Sequence, residues 1–335
     1  ILGKTATIPV SLAPVGMTGM QHADGEIHAA RAAEKFGVPF TLSTMSIASI
    51  EDVAAATKTP FWFQLYVMRD RDFVAALIAR AKAAGCSALV LTLDLQVLGQ
   101  RHKDLRNGLS APPKMTPRVI ADLVRHPAWC MDMLKTKRRT FGNIVGHAKG
   151  VEDLSSLSSW TAEQFDPTLD WSSVEWIKKH WDGKLILKGV GDVEDAKTAL
   201  ETGADAIVVS NHGGRQLDGA AASVDMLPQI AEAVGDRIEV HVDGGIRSGQ
   251  DVVKAMALGA HATSIGRAYI HGLGAMGEPG VTKALEIIAK ELDITMALCG
   301  ETKITDVGAH NIWGRAPGVD AVEERQERAL HAVGS

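Results

Sequence analysis

Eight short apolar segments, each followed by a stretch with helical periodicity, constrain the fold of this chain more than any other feature of its sequence. They cover residues 9–12, 39–42, 61–67, 88–93, 184–188, 206–209, 238–242 and 263–265. Strands that alternate with helices in this way form parallel sheets, either open and doubly wound or closed into a barrel. The count of eight, with polar residues gathered where the segments end, predicts an α/β fold of the (β/α)8 TIM barrel type.

The fourth and fifth predicted strands are separated by residues 95–183, far more than an ordinary connection between strand and helix. Within this interval, residues 172–181 predict the helix that belongs to the barrel, and roughly residues 104–170 predict an insertion over the barrel mouth. We therefore expect one barrel domain over residues 1–316, followed by a charged, alanine-rich C-terminal tail over residues 317–335.

The composition argues against several classes of function. A formal net charge of −5 argues against nucleic acid as a general partner. No apolar run approaches the roughly 18 residues that a membrane span requires. The three cysteines, Cys86, Cys130 and Cys299, are far apart and match no metal-binding or redox spacing. We therefore expect no metal site and a reducing, cytoplasmic location.

The strand predicted at residues 206–209 is followed directly by Ser-Asn-His-Gly-Gly-Arg-Gln-Leu-Asp-Gly at residues 210–219. Functional side chains of a parallel barrel lie at the carboxyl ends of its strands. At this position His212 can take a proton while Arg215 holds a substrate carboxylate by two parallel hydrogen bonds. A polar turn with an inert, hydrogen-bonded histidine is the alternative interpretation.

The last two predicted strands end in sequences typical of a phosphate site. The seventh is followed by Asp-Gly-Gly-Ile-Arg at residues 243–247, and the eighth by Gly266 and Arg267. Glycines expose backbone N–H groups and the arginines neutralise a phosphate dianion. At the end of the first strand, Gly16 would let a planar cofactor approach the backbone closely.

The sequence at residues 210–218, together with Phe-Gln-Leu-Tyr at residues 63–66, resembles the FMN-dependent 2-hydroxy acid oxidase and dehydrogenase family over nearly the whole chain. The resemblance is greatest to its L-lactate dehydrogenase branch. It implies FMN as cofactor and oxidation of an L-2-hydroxy acid, with L-lactate as the leading substrate, to the 2-keto acid. It also implies a quinone or another electron acceptor and a homotetramer. The N-terminal helical segment of the family, which supplies a substrate-facing tyrosine, is absent from this sequence.

The resemblance further implies roles for individual residues. His212 would be the base, with Asp94 behind it stabilising the imidazolium; the sequence leaves open whether the α-proton or the hydroxyl proton is taken. Tyr66, Arg101 and Arg215 would bind the substrate, and Met45 would shape its pocket. The cofactor-binding residues would be Val15, Gly16, Ser43, Gln64, Thr92, Lys188, Asp243, Gly244, Gly245, Arg247, Gly266 and Arg267. Among these, Lys188 would face the edge of the flavin where negative charge gathers on reduction.

Other functions share some of these features. One is an oxidase that uses O2 on glycolate, mandelate or a longer hydroxy acid; another is a lyase or isomerase of a phosphorylated substrate that uses Lys188. A non-catalytic barrel is a third. The Gly-x-Gly-x-x-Gly pattern at residues 272–277 is not followed by a βαβ unit, so it does not predict a dinucleotide site.

Residues 114–139 combine seven basic and two acidic side chains with a tryptophan and several aliphatic residues. Such a mixture is typical of a segment that binds the surface of an anionic membrane. Pro127 predicts two short helices rather than one. We expect either peripheral binding to the inner face of the membrane, where a quinone is available, or an amphipathic segment that packs onto the barrel.

Overall fold

The computed structural model describes residues 1–97, 99, 102, 106, 116–148, 150, 151 and 164–313. Eight parallel strands form one sheet at its centre. They are β1 Val10–Leu12, β2 Thr41–Ser43, β3 Trp62–Tyr66, β4 Ala88–Thr92, β5 Lys184–Val190, β6 Ala206–Val209, β7 Glu239–Asp243 and β8 Ala262–Ile265. Each strand overlaps one of the eight predicted segments.

The sheet closes on itself. Its strand order is β1-β8-β7-β6-β5-β4-β3-β2, so the first strand pairs with the last. The remaining gap between β1 and β2 is bridged at Leu12 and Phe40, and the amide of Leu12 donates to the carbonyl of Pro39 at 2.9 Å. The (β/α)8 barrel is therefore confirmed, and the open doubly wound sheet is excluded.

Helices connect consecutive strands and cover the outside of the barrel. In chain order they are α1 Thr18–Gln21, α2 Gly25–Phe36, α3 Ile50–Ala56, α4 Arg71–Ala83, α5 Pro117–Arg125, α6 Pro127–Lys135, α7 Trp171–His180, α8 Val193–Glu201, α9 Ser223–Val234, α10 Gly249–Ala257, α11 Arg267–Met276 and α12 Glu278–Cys299. Helix α7 lies within one residue of the barrel helix predicted at residues 172–181. None of the helices in the described ranges is long and apolar enough to cross a membrane.

Local sequence explains where these helices begin and end. Helix α4 ends because Gly85 adopts a left-handed conformation with φ of 72°. Its amide donates to the carbonyl of Lys82, and the amide of Cys86 donates to that of Ala81, which together form a Schellman motif. Helix α8 is capped by Asp192, which precedes it and whose side chain accepts hydrogen bonds from two amides of the first turn.

The Gly-x-Gly-x-x-Gly pattern lies in α11 and at the turn into α12. Its first glycine permits close helix packing with Gly280 of α12: a Cβ on Gly272 would lie 2.3 Å from the carbonyl oxygen of Gly280, and one on Gly280 would lie 1.9 Å from that of Gly272. Gly274, on another side of the same helix, has nothing within 4 Å of a Cβ. The pattern therefore serves a helix crossing and not a phosphate loop.

His241, on β7, is buried at 1% exposure. Its Nε2 lies 2.9 Å from Oε2 of Glu239, and its ring stacks on Trp62. Burial lowers the pKa of His241 more than the neighbouring carboxylate raises it, and the nearby His261 lowers that pKa further. The imidazole is therefore stabilised as the neutral form.

Between β4 and α7 the chain forms α5 and α6, the two short helices predicted on either side of Pro127. Arg138, just after α6, joins this pair to the barrel: Nη1 lies 3.0 Å from Oδ1 of Asp24, and Nη2 lies 2.8 Å from Oδ1 of Asp52. The indole of Trp129 donates to the carbonyl of Met20 at 3.1 Å. The insertion boundaries near residues 104 and 170 stay a prediction, and the tail at 317–335 lies outside the described residues.

Candidate active site

A cavity of about 1170 Å³ opens at the carboxyl ends of the strands. It exceeds the usual 300–1,000 Å³ of a small-molecule site, so it has room for a nucleotide-sized cofactor and a small substrate together. Most of the predicted site residues line it: Val15, Gly16, Ser43, Tyr66, Thr92, Lys188, His212, Arg215, Asp243, Gly244, Gly245, Arg247, Gly266 and Arg267. The pocket residue Met45 lines it as well.

His212 begins a tight turn directly after β6. It has a φ of 57°, and Gly213 and Gly214 follow with φ of 66° and 70°. Three left-handed residues in succession explain the pair of glycines, because a side chain is strained in this conformation. Asn211 stabilises the turn by accepting the amide of Gly214 at 3.1 Å. The strain is concentrated in His212, where backbone strain often accompanies function.

The imidazole of His212 is held from behind by Asp94, which follows β4. Nδ1 of His212 lies 2.8 Å from Oδ1 of Asp94. Burial would raise the pKa of Asp94, but the hydrogen bond from His212 and the charge of Lys188 outweigh it and hold that pKa below its ordinary value. A carboxylate at Nδ1 fixes the proton on that nitrogen and leaves Nε2 as the acceptor.

Lys188, at the end of β5, is buried beside Asp243 at the end of β7. Its Nζ lies 2.9 Å from Oδ2 of Asp243 and donates to Oγ of Ser210 at 2.9 Å. Burial alone would lower the pKa of Lys188, but the charges of Asp243 and Asp94 raise it above its ordinary value. The amine is held as an ammonium, which makes it unsuited to act as the nucleophile of a lyase or isomerase.

Three strand ends are tied together by the side chain of Gln64. Its Oε1 accepts from Oγ of Ser43 at 3.1 Å, and its Nε2 donates to Oγ1 of Thr92 at 2.9 Å. All three side chains are buried, and Ser43 and Thr92 line the cavity while Gln64 lies behind them. The amide of Gln64 is thus fixed by its neighbours.

The ends of β7 and β8 carry the predicted phosphate site. Gly244 and Gly245 have φ of 89° and 88°, so the backbone turn there depends on glycine. Arg247 and Arg267 line this side of the cavity, and Nη2 of Arg267 donates to the carbonyl of Gly213 at 3.2 Å. Positive charge and an exposed backbone thus lie together, as an anion requires.

Two aromatic side chains from beyond the predicted insertion helices also line the cavity, Phe141 and Phe165. The ring of Phe165 meets that of Tyr66 edge-on with centroids 5.8 Å apart. Neither phenylalanine is predicted from the sequence, because nothing in their local pattern distinguishes them. Ser210 is not predicted either, although the motif could have indicated it because it directly precedes Asn211 and His212. Arg101 lies outside the described residues.

A model of the family described as FMN-dependent dehydrogenase matches residues 1–314. The chain belongs to this family. The L-lactate dehydrogenase of Caulobacter vibrioides is 48% identical over 321 residues, covering 95% of this chain and 83% of that protein. The L-lactate dehydrogenase of Haemophilus influenzae is 47% identical over 308 residues, covering 92% and 81%.

Solved structures of other proteins share this fold closely. An (S)-mandelate dehydrogenase, described as a monotopic membrane protein, superposes with a TM-score of 0.89 at 36% identity, covering 94% of this chain and 83% of that chain. A mandelate oxidase variant superposes with a TM-score of 0.74 at 39% identity, covering 91% and 78%. Family membership confirms the resemblance and makes the lyase, isomerase and non-catalytic alternatives wrong.

FMN is the cofactor of an FMN-dependent dehydrogenase, and the cavity fits it. Besides its volume, the cavity carries the carboxylate of Asp243, whose Oδ1 is buried without a hydrogen-bond partner among the described residues. An unpaired buried acceptor is costly, and a hydroxyl of a sugar-like chain would satisfy it. Arg247 and Arg267, which line the cavity at the ends of β7 and β8, suit the phosphate of FMN.

Proposed function

We propose that this protein oxidises L-lactate to pyruvate and passes the electrons to a membrane quinone. The observation that carries the proposal is the hydrogen bond of 2.8 Å between His212 and Asp94 at a cavity that also contains Arg215 and Tyr66. Relatives named L-lactate dehydrogenase at 47–48% identity support lactate over other hydroxy acids.

His212 would receive a proton from the substrate at Nε2, because Nδ1 already donates to Asp94. The ionised carboxylate of Asp94 then stabilises the imidazolium that forms, as the orienting carboxylate of a catalytic triad does. Bound FMN supplies the acceptor for the two electrons that leave the substrate. The left-handed turn at His212 fixes the ring so that little reorganisation is needed at the moment of proton transfer.

The substrate carboxylate would lie against Arg215, whose planar guanidinium can donate two parallel hydrogen bonds. The phenol of Tyr66 would contact the hydroxyl region, and Phe165 packs against its ring. Arg101 is proposed as a second cation near the carboxylate on the family resemblance alone.

The cofactor would lie along the remaining strand ends. Lys188 places a fixed positive charge there, and Asp243 offers its unpaired oxygen to a hydroxyl. Arg247 and Arg267 would bind the phosphate together with the backbone of Gly244 and Gly245. Val15, Gly16, Ser43 and Thr92 would contact the flavin, with Gln64 holding Ser43 and Thr92 in place; Gly266 completes the phosphate side.

Anaerobic mixing with hydroxy acids tests the reaction. The purified protein should show a flavin spectrum that bleaches with L-lactate, slowly or not at all with D-lactate, and less efficiently with (S)-mandelate or glycolate. Rapid reduction of the flavin by (S)-mandelate but not by L-lactate would show that the substrate is the alternative one, mandelate. Rapid reoxidation by oxygen rather than by a soluble quinone analogue would make it an oxidase.

We also propose that α5 and α6 bind an anionic membrane. Four large apolar side chains of the pair are exposed, Ile120, Val124, Met131 and Leu134, with Val124 at 74% and Leu134 at 71%. Arg125, Lys135 and Lys137 are exposed around them. Apolar side chains for shallow burial beside cations for lipid headgroups are what an interfacial segment needs. The structural relative described as a monotopic membrane protein supports this location.

The ion pairs of Arg138 and the indole of Trp129 hold the pair of helices against the barrel. Trp129 therefore belongs to the anchor and not to the lipid-facing side, which differs from the expectation for an interfacial tryptophan. Helix α1, on which Trp129 rests, ends at Gln21, and Gln21 lines the cavity. Docking by this segment would bring the cavity close to a quinone dissolved in the bilayer.

Co-sedimentation with vesicles tests the membrane proposal. The protein should pellet with vesicles containing anionic lipid, less so at high salt, and the variant Val124→Gln/Leu134→Gln/Lys135→Gln/Lys137→Gln should stay in the supernatant. Leu298→Gln/Lys290→Gln on α12 is the control, since Leu298 is 84% exposed on a helix that is not part of the pair. Failure of the parent protein to pellet at low salt would contradict the proposal. The homotetramer stays a prediction that sedimentation velocity tests.

A further inference from the structure

Gln216 lies in the segment at residues 210–219, and the reaction described above gives it no role. Its side chain reaches away from the turn of His212 to the loop that follows β4. There Nε2 donates to the carbonyl of Asp94 at 3.3 Å and to that of Val97 at 3.0 Å. A single amide group thus holds two successive parts of the neighbouring loop.

A second contact joins the same two loops through their backbones. A Cβ on Gly99 would lie 2.5 Å from the carbonyl oxygen of Gln216, 2.8 Å from its Cα and 2.9 Å from the carbonyl oxygen of Arg215. Only glycine allows the loop after β4 to approach the segment of Arg215 and Gln216 so closely. The two loops are therefore packed directly against each other and are hydrogen-bonded beside that contact.

We propose that Gln216 is a positioning residue that fixes the loop of Asp94 relative to the turn of His212. This inference rests on the proposed function, in which His212 takes the proton and Asp94 stabilises the resulting imidazolium. The two side chains come from different strands and are joined to each other by one hydrogen bond. Without the side chain of Gln216, that bond and the packing at Gly99 would have to hold the two loops in register.

The position of the carboxylate matters because a displacement of about 1 Å in a catalytic constellation can cost a hundredfold in rate. Gln216 donates a hydrogen bond to the backbone carbonyl of Asp94, the same residue whose side chain is hydrogen-bonded to the imidazole of His212. An amide suits this position because it presents two N–H donors without a charge. A glutamate would place a negatively charged carboxylate, which has no N–H donor, against the two carbonyl oxygens. The repulsion would push the loops apart.

The variants Gln216→Leu and Gln216→Glu test the proposal in the FMN-loaded protein, with Leu217→Ala as the matched control. Leu217 is the next residue and is 69% exposed, so its truncation leaves the contact between the loops intact. Both Gln216 variants should lower the limiting rate of flavin reduction by L-lactate about 10- to 100-fold with a smaller effect on the apparent dissociation constant. The pH profile of that rate should change as well, because the carboxylate of Asp94 would no longer be held against the imidazole.

A spectroscopic signal tests the same geometry without turnover. A proton on Nδ1 of His212 that is shared with Asp94 should give a low-field proton resonance in the parent protein, which His212→Gln removes. In Gln216→Leu this resonance should shift upfield or broaden. The variant Gln216→Asn, whose side chain is too short to reach both carbonyls, should behave similarly and replaces Gln216→Leu if that variant does not fold.

Unchanged reduction rate, pH profile and low-field resonance in the Gln216 variants would overturn the positioning role. A lower rate that is fully explained by loss of FMN or by a lower thermal midpoint, with an unchanged pH profile, would mean that Gln216 only stabilises the fold. That result would also overturn the positioning role. If the flavin of the parent protein is not reduced by L-lactate or another hydroxy acid, the proposed function itself is wrong. This result is distinct from those that contradict only the role of Gln216, because they are seen in the variants and not in the parent protein.

Discussion

The ammonium of Lys188 lies 2.9 Å from the carboxylate of Asp243, and both side chains are almost wholly buried. Each lies at or near the carboxyl end of its own strand, so the pair connects β5 to β7 across β6, the strand that precedes His212. Removing one partner would leave the other buried and unpaired, although Lys188 also donates to Ser210. The pair is therefore important for the fold as well as for the cofactor.

Replacing Lys188 by methionine should lower the free energy of unfolding of the FMN-free protein by about 3–5 kcal/mol, because it leaves a buried charge uncompensated. The double variant Lys188→Met/Asp243→Asn should recover part of that loss. Urea unfolding measures both. The control is Lys184→Met on the same strand, whose ion pair with Asp205 is solvent-exposed and screened, so its loss should change the free energy of unfolding far less. Equal effects of the two lysine variants would contradict the prediction.

His212→Ala should abolish reduction of the flavin by L-lactate while FMN stays bound. Loss of a positioned base costs about 10²–10⁴-fold in rate, and the proposed cofactor contacts come from other residues. Stopped-flow absorbance measures the rate of flavin reduction, and the absorbance ratio of flavin to protein shows whether FMN stays bound. A near-normal reduction rate would rule out His212 as the base.

Arg215→Lys should raise the KM for L-lactate and slow turnover although the charge is kept. An ammonium cannot reproduce the two parallel hydrogen bonds that a guanidinium donates to a carboxylate. Steady-state kinetics with an artificial electron acceptor measure the effect. If uncharged alcohols inhibit the parent enzyme as well as 2-hydroxy acids do, Arg215 does not bind the substrate carboxylate.

Two glycines of one helix should respond to the same substitution in opposite directions. Gly272→Ala should lower the free energy of unfolding by more than about 2 kcal/mol, since its Cβ would lie 2.3 Å from a backbone oxygen of α12 and the helices would have to separate. Gly274→Ala meets nothing within 4 Å and should raise it by about 0.5–1 kcal/mol, the gain in helix propensity. Chemical denaturation of both variants, compared at equal FMN content, decides whether the crossing of α11 and α12 is as close as described.

His241 should make the protein less stable as the pH falls. Its pKa is lowered in the folded state, so below the ordinary value of 6.5 the unfolded chain binds a proton that the folded chain does not. The free energy of unfolding should therefore fall with pH by up to about 1.4 kcal/mol per unit from this residue. The window from pH 6.5 to 5 lies above the ordinary pKa of 4.5 of Glu239, whose pKa is lowered to about 2 in the folded protein, so this carboxyl is largely ionised in both states there.

The variant His241→Gln keeps an N–H donor for Glu239 but does not titrate, so its stability should depend less on pH in this window. His28 and His147 also have lowered pKa values, but they are present in both proteins and cancel in the difference. Parallel pH profiles of the two proteins would show that the imidazole is hydrated and not buried.

The sequence could predict the barrel because each strand is buried on both faces. Such strands read as continuous apolar runs, as at Leu89–Leu91 and Leu185–Leu187, and their order along the chain determines their order in the sheet. The site residues could be predicted to lie together for the same reason, since all strands end on one side. Arg138 is the counterexample, because its sequence context indicates a surface cation and not a residue paired with two carboxylates of the barrel.

The contacts between loops could not be predicted from the sequence. Phe165 reaches the cavity because the chain pairs with Met68 in an isolated antiparallel bridge, which has no local signature. The hydrogen bonds from Gln216 to Asp94 and Val97 span 122 and 119 residues, a separation at which no periodicity operates. Sequence patterns indicate the local structure of a segment, whereas these contacts depend on which segments the folded barrel places next to each other.

Closure of the barrel has a consequence for how a nascent chain acquires its structure. The first strand pairs fully with β8, where Ser11 and Ser264 are hydrogen-bonded across 253 residues, but meets β2 through one bridge. During synthesis β1 therefore has little to hold it until almost the whole described barrel has left the ribosome. Contacts of such long sequence separation form slowly, so we expect closure at this seam to be among the last folding events. Until then, two unpaired strand edges are exposed to other chains.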